Sequence, residues 1–325
     1  ARRDQPGSLA GQLAAAAGAL PAYEDRFRTM LAAVQPDIIH SNGFKAHVLS
    51  ARANGPARRL WHLHEYVEHR PLTRRLLRWY APRCHAWVAN SASVSSDVAR
   101  AVGDRFRTAA HIIPNGVDLD RFRPEGPQVD LDALSGLTRA PEGTVRVGLI
   151  ATFSRWKGHE VFLRAISAIA PSAAMRAYVG RGPVYTTAGS QYSMDEMRAL
   201  ARTLGSDDRV GFTGFQSDAP AVMRALDVVV HASTAPEPFG LVLTEAMASG
   251  RALVSSAAGG SAEIVEPDVN ALVHTPGDPT SLAAAIERLV NDAALRERLG
   301  RAGRSHVAAH YDVHAFGERF VRVYE

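Results

Sequence analysis

The sequence predicts an α/β protein made of two Rossmann-like, doubly wound parallel-sheet units, and three observations lead there. Short β-branched runs alternate with helical patterns along most of the chain. A stretch rich in Pro, Gly and Asp at 123–142 interrupts that alternation, and an apolar run at 145–151 restarts it. The chain has 325 residues, 46% apolar and 22% charged, which is ordinary globular composition and enough length for two cores.

Strands in the first unit are expected at 37–40, 59–62, 86–89 and 110–113, with helices at 23–33 and 94–102. Nothing before residue 37 reads as a strand. The second unit is expected to carry strands at 145–151, 176–179, 210–213, 227–231, 252–256 and 271–274, each followed by a helix or a loop. The expected domains are 1–135, 136–308 and a terminal helix over 309–325 that crosses back to the first domain. Ligands of such sheets bind beyond the carboxyl ends of the strands, so two facing units would place the chemistry in a cleft.

Composition narrows the function. The basic excess is almost all arginine, since Lys45 and Lys157 are the two lysines, and a net charge of +4 is modest for this size. It argues little for nucleic acid. Cys84 is alone, which rules out an internal disulfide and makes a reducing compartment the default. No run approaches the roughly 20 apolar residues that cross a bilayer. The Ala/Leu-rich stretch 9–20 is too short, contains Gln12 and lacks the pattern of a signal peptide. A cytoplasmic protein is expected, with peripheral contact at an inner membrane face open through the basic segment 70–83. There Leu72, Leu76 and Trp79 fall on one helical stripe among arginines, a pattern that also suits an ordinary packed helix.

The most informative stretch is 236–250. Glu237 and Glu245 are separated by seven residues, after the apolar run 227–231. Pro-Glu-Pro-Phe-Gly reads as a tight turn and 242–248 as a helix closed by Gly250. Two carboxylates therefore flank a helix N-terminus, where backbone N–H groups and the helix dipole suit a phosphate and the carboxylates suit sugar hydroxyls.

This stretch resembles the donor-site signature of retaining glycosyltransferases of the GT-B fold, glycosyltransferase family 4 (glycosyl transferases group 1), over most of the chain. The resemblance implies two facing Rossmann-like domains and transfer of a hexose from a UDP- or GDP-sugar to a hydroxyl acceptor. It places Glu237 near the donor hexose, Glu245 on the ribose, and the backbone of Phe239, Gly240 and Leu241 on sugar and diphosphate. In the loop 152–160 the family carries an arginine and then a lysine before glycine, both on the diphosphate. Lys157 matches the lysine; Thr152 stands at the arginine position, so Arg155 is expected to supply the second cation. His64 falls where the family has a histidine facing the reacting sugar. The loop 211–218, with Phe215, matches the place where the base is read, and Gly259-Gly260 is expected to shape the donor pocket or to make a plain turn.

The resemblance implies no metal and no cofactor. A zinc site from His62, His64, Glu65 and His69 is the rival reading, although the paired helical spacing is missing. Asp118-Leu119-Asp120 imitates a metal-binding Asp-x-Asp, but Asp118 is expected to cap a short helix after the Asn115-Gly116 turn. Gly180-Arg181-Gly182 begins a dinucleotide fingerprint that Tyr185 spoils. Family members open with a strand and a glycine-rich loop, which this sequence is expected to lack. Two alternatives therefore stay open: a sugar-nucleotide-binding remnant without transfer, and an epimerase or hydrolase of the same fold.

Overall fold

The computed structural model describes residues 9–103, 106, 110–182 and 190–325. Tyr185 lies outside them. Contacts divide the chain into two units, Ala1–Ala89 with Val94–Ile112 and Tyr324, and Asn90–Ser93 with Ile113–Val323 and Glu325.

In the first unit the alternation runs α1 (Leu9–Val34), β1 (Ile38–Asn42), α2 (Phe44–Arg52), β2 (Arg58–Leu63), α3 (Pro71–Tyr80), β3 (Ala86–Ala89), α4 (Ala92–Val102) and β4 (Ala110–Ile112). The sheet order is β1-β2-β3-β4, parallel throughout. Helix α1 is longer than the 23–33 pattern suggests and passes through Pro21. Tertiary anchoring outweighs local propensity there. Glu24 of α1 is buried and takes a forked ion pair from Arg52 of α2.

The first core centres on Trp61 and Trp87, edge to face at 4.9 Å, with Phe106 against Trp87 at 5.0 Å. Histidines share this core: His47 stacks on Trp61 at 5.1 Å, and the rings of His62 and His64 lie 3.9 Å apart. Burial, helped by the neighbouring imidazoles, pushes His47 down to about 3 and His62 to about 2. A neutral buried imidazole contributes stability above its unfolded pKa of 6.5, and that contribution is lost as pH falls towards the depressed value. The urea midpoint of the first unit is therefore expected to drop between pH 7 and pH 4, with part of the drop removed in His62→Gln. An unchanged slope in that variant would refute the assignment.

The second unit contains α5 (Leu131–Ser135), β5 (Val145–Ala151), α6 (His159–Ala168), β6 (Met175–Arg181), α7 (Met194–Thr203), β7 (Val210–Phe215), α8 (Ala219–Arg224), β8 (Val228–His231), α9 (Leu241–Ala248), β9 (Ala252–Ser255), β10 (Leu272–Val273), α10 (Pro279–Asn291), α11 (Ala293–His310) and α12 (Val313–Tyr324). Its parallel sheet has the order β10-β9-β8-β5-β6-β7. Alternate strand residues feed opposite faces. Val147, Leu149, Val228 and Val230 meet Phe162, Ile166 and Leu289 on one side. Val229 and Leu253 meet Leu226, Leu243, Met247 and Val307 on the other. Buried on both faces, these strands read as continuous apolar runs.

Residues 113–135, placed by sequence at the end of the first domain, group with the second unit. Polar anchors explain it. Val117 N–H donates to Tyr311 O at 2.7 Å, Arg304 donates to Phe122 O at 2.9 Å, and Arg224 donates to Pro127 O at 2.7 Å. Helix α5, unexpected in a Pro/Gly-rich stretch, is capped by Asp130. Its buried Asp132 accepts from Arg176 at 2.6 Å and from the Tyr178 hydroxyl at 2.7 Å.

Candidate functional site

In the second sheet β5 stands between β8 and β6, so chain order reverses there. At such a switch point the loops leaving the two strands diverge and open a crevice at their carboxyl ends. Here these are the loop 152–158 after β5 and the loop 232–240 after β8.

Glycines lock the loops together. Gly158 has φ +76°, and a Cβ on it would lie 1.8 Å from Ala232 O. Only glycine permits this approach. One step away, Thr234 N–H donates to Trp156 O at 2.8 Å. On the other side Glu237 is held by its backbone: its N–H donates to Ala258 O at 2.9 Å and its C=O accepts Gly260 N–H at 2.7 Å. Gly259-Gly260 is thus more than a plain turn, since a Cβ on Gly260 would meet Pro238 O at 2.0 Å.

This scaffold brings two of the expected residues into contact. Lys157 Nζ lies 2.8 and 2.6 Å from the two Glu237 oxygens, with the side chains 17% and 11% exposed. The ammonium also sits 4.2 Å from the Trp156 ring centre. Ser233 Oγ donates to Glu237 Oε2 at 3.0 Å, and His231 Nε2 is 3.4 Å from the same oxygen. Behind it, His231 Nδ1 faces the hydroxyls of Ser255 at 3.2 Å and Ser256 at 3.3 Å. Burial would raise the Glu237 carboxyl, but the His231 hydrogen bond and the Lys157 charge prevail and pull it down to about 2. It is an anion at any working pH.

Gly240, φ +99°, starts α9 without a side-chain cap. Leu243 N–H closes onto Gly240 O at 3.0 Å, which leaves the Leu241 and Val242 amides to point outward with the dipole's positive end. Glu245 lies on this helix, half-buried, and burial raises its carboxyl against the opposing charge of Arg121. A carboxylate held at a cost to the empty protein is common where a ligand supplies the missing partners.

The other expected residues do not join that contact. Arg155 lies 4.3 Å from the Tyr192 ring centre and 3.5 Å from Glu196. The Phe239 ring is buried against Tyr311 at 5.9 Å, so its backbone alone is available to a ligand. Leu241 and Phe215 are exposed, at 47% and 58%. His64 belongs to the first unit, and burial lowers its imidazole, with His40 adding to the effect and Glu65 opposing it. Asp118 caps a hydrogen-bonded turn, accepting from Asp120 N–H at 3.1 Å and Arg121 N–H at 2.9 Å; no helix follows, because the chain turns away after Phe122. Among the described residues no group of three or more His, Cys, Asp or Glu could hold a metal.

Sequence reasoning missed His231, Ser233 and Gly158. A histidine ending a buried strand was the available signal for the first. The Ser255 and Ser256 partners depend on how β9 registers against β8, His231 opposite Ser255, and that register is not readable from sequence.

Known proteins match both units. The family described as glycosyl transferases group 1 matches residues 137–306, and the one described as glycosyltransferase family 4 matches 5–121. The chain is 28% identical to a lipopolysaccharide core biosynthesis glycosyltransferase of Rhizobium meliloti, over 92% of this chain and 78% of the relative. It is 31% identical to a lipopolysaccharide core biosynthesis mannosyltransferase of Rhizobium leguminosarum, over 78% and 74%. Against a D-inositol 3-phosphate glycosyltransferase of Corynebacterium jeikeium the match, 29% identical, covers 68% of this chain and 53% of the relative. Among solved structures, HepE from Anabaena in complex with UDP superposes with a TM-score of 0.81 at 27% identity, covering 92% of this chain and 81% of that one. Sucrose-phosphate synthase from Thermosynechococcus elongatus gives 0.80 at 25%, over 94% and 77%. With the sheet topology, the crevice and these matches together, the chain belongs to the glycosyl transferases group 1, glycosyltransferases of the GT-B fold.

Proposed function

We propose that the crevice of the second unit binds a nucleoside diphosphate sugar, and that the chain transfers the hexose to a hydroxyl acceptor with retention of configuration. The observation that carries this reading is the Lys157–Glu237 pair at the switch point, beside the uncapped N-terminus of α9. Anabaena HepE, one of the structural neighbours, was solved with UDP-glucose, which supports a nucleotide sugar as donor.

Each group has a role that its surroundings permit. The first-turn amides of α9 receive phosphate oxygens, as helix N-termini do. Lys157 shares its ammonium between Glu237 and the diphosphate, so positive charge stands ready where the leaving group develops negative charge. Glu237, fixed by Ser233 and His231, accepts from hexose hydroxyls. Glu245 accepts from the ribose, and Phe215 offers an exposed ring towards the base. Among the described residues no side chain at the crevice is singled out as a covalent nucleophile, so we favour attack on the face of the departing diphosphate, whose oxygen takes the acceptor proton. Lys157 supplies the needed cation and the reading requires no metal. Product analysis with UDP-glucose and GDP-mannose, with and without hydroxyl acceptors, tests it. A new glycoside of retained configuration is expected; free hexose or an epimer from donor alone would instead establish the hydrolase or epimerase.

Glu245 gives a second test with opposite effects on stability and binding. Its raised pKa means that ionisation costs the empty protein stability as pH rises through that value. Glu245→Gln is therefore expected to raise the Tm of the empty chain at pH 7 while weakening nucleotide binding about 10- to 100-fold, the worth of a charged hydrogen bond. A variant that is less stable yet binds as before would contradict the ribose role.

A further inference from the structure

The first unit contains a cavity of about 630 Å³ between α1, α2 and α3, which the donor chemistry does not use. Its walls are Tyr23, Phe44, Val48, Leu49, Leu76 and Leu77. This size and apolar lining are those of a ligand site, for which ~300–1,000 Å³ is usual. Of its polar lining, Arg52 pairs with Glu24 and donates to the Tyr80 hydroxyl at 2.9 Å, while Lys45 and Thr73 stand beside them. Arg52 and Tyr80 hold the walls together, and Lys45 places a cation beside an otherwise apolar hollow.

The cavity opens onto an unusual helix. On α3, Leu72, Leu76 and Trp79 recur at helical spacing and face solvent at 66%, 38% and 77% exposure. Leu76 belongs both to this stripe and to the cavity wall, so the apolar surface continues inward. Arg70, Arg74, Arg75, Arg78 and Arg83 accompany the stripe, and 70–83 contains no acidic residue. Lys45, Arg75 and Arg78 make no ion pair or side-chain hydrogen bond among the described residues.

An occupant must therefore be apolar inside and anionic at the rim. A second copy docked through this face would bring the same cations together and is disfavoured. We propose that the cavity takes one hydrocarbon chain of an anionic lipid, while the arginines of α3 hold its headgroup and Trp79 lies at the membrane interface. This site is independent of the nucleotide crevice, so nucleotide titration reports separately on whether a variant is folded.

Flotation with phosphatidylcholine vesicles, with and without phosphatidylglycerol, tests the proposal. The chain is expected to float with phosphatidylglycerol present and far less without it. Arg75→Gln with Arg78→Gln should lower partitioning about 25-fold, roughly fivefold per cation. Val48→Trp, which fills the cavity, should lower it at least tenfold while nucleotide titration stays unchanged. If that variant misfolds, lipids brominated on the acyl chain replace it as the probe: they should quench fluorescence that Trp79→Phe removes. The proposal is overturned by equal flotation on both vesicles, by none, by quenching that is absent, by a folded Val48→Trp that floats like the parent, or by a dimer in light scattering that Val48→Trp abolishes.

Discussion

Lys157→Ala is expected to lower affinity for a nucleoside diphosphate about 100-fold, and any turnover by a further 10²- to 10³-fold. The two losses differ because the ammonium meets a ground-state diphosphate but matters most when the departing diphosphate gains charge. The structure adds a stability cost: the lysine is the closest cation to a carboxylate only 11% exposed. Removing it takes the ammonium away from a buried carboxylate, which should cost about 3 kcal/mol. A double-mutant cycle separates the roles. Adding Glu237→Gln to Lys157→Ala should recover most of the stability, since no buried charge remains, and none of the affinity. Denaturation and calorimetry on the four proteins measure both; a single variant that binds nucleotide like the parent would remove Lys157 from the site.

The second large effect belongs to a residue with no side chain. In Gly158→Ala the new methyl group would stand 1.8 Å from Ala232 O, on a backbone at φ +76°. Side chains rarely adopt that conformation, and the carbonyl cannot retreat without disturbing the end of β8. A cost of about 3 kcal/mol is expected, with nucleotide affinity falling as far as in Lys157→Ala because Lys157 no longer reaches Glu237. The urea midpoint and the same titration check it. A stable variant with parental affinity would show that the two loops are not locked as described.

How much of this was legible in the sequence depends on the range of the interaction. Strands such as 145–151 and 86–89 were readable to the residue because they are apolar runs bounded by turn residues, a local signal. The glutamate signature was local too, and the turn and helix at 237–248 followed from Pro, Gly and spacing. What escaped was set by tertiary contact. Helix α5 hides in a stretch of turn-forming residues because buried Asp132 is fixed by Arg176 and Tyr178, more than 40 residues away. Arg155, four residues from the end of β5, contacts Tyr192 and Glu196, partners far along the chain that its own segment does not announce. The Phe239 ring packs in the core against Tyr311, which leaves its backbone for the role the signature implies. Sequence spacing identifies which segment forms a site, while side-chain direction within it is decided by neighbours far along the chain.

The central claim, that the switch-point crevice is a nucleotide-sugar site, is tested most directly by calorimetric titration of the chain with UDP and with GDP, repeated on Lys157→Ala. The account predicts saturable binding of one of the two, weakened about 100-fold in the variant. Binding of neither, or binding that ignores the loss of Lys157, would contradict it.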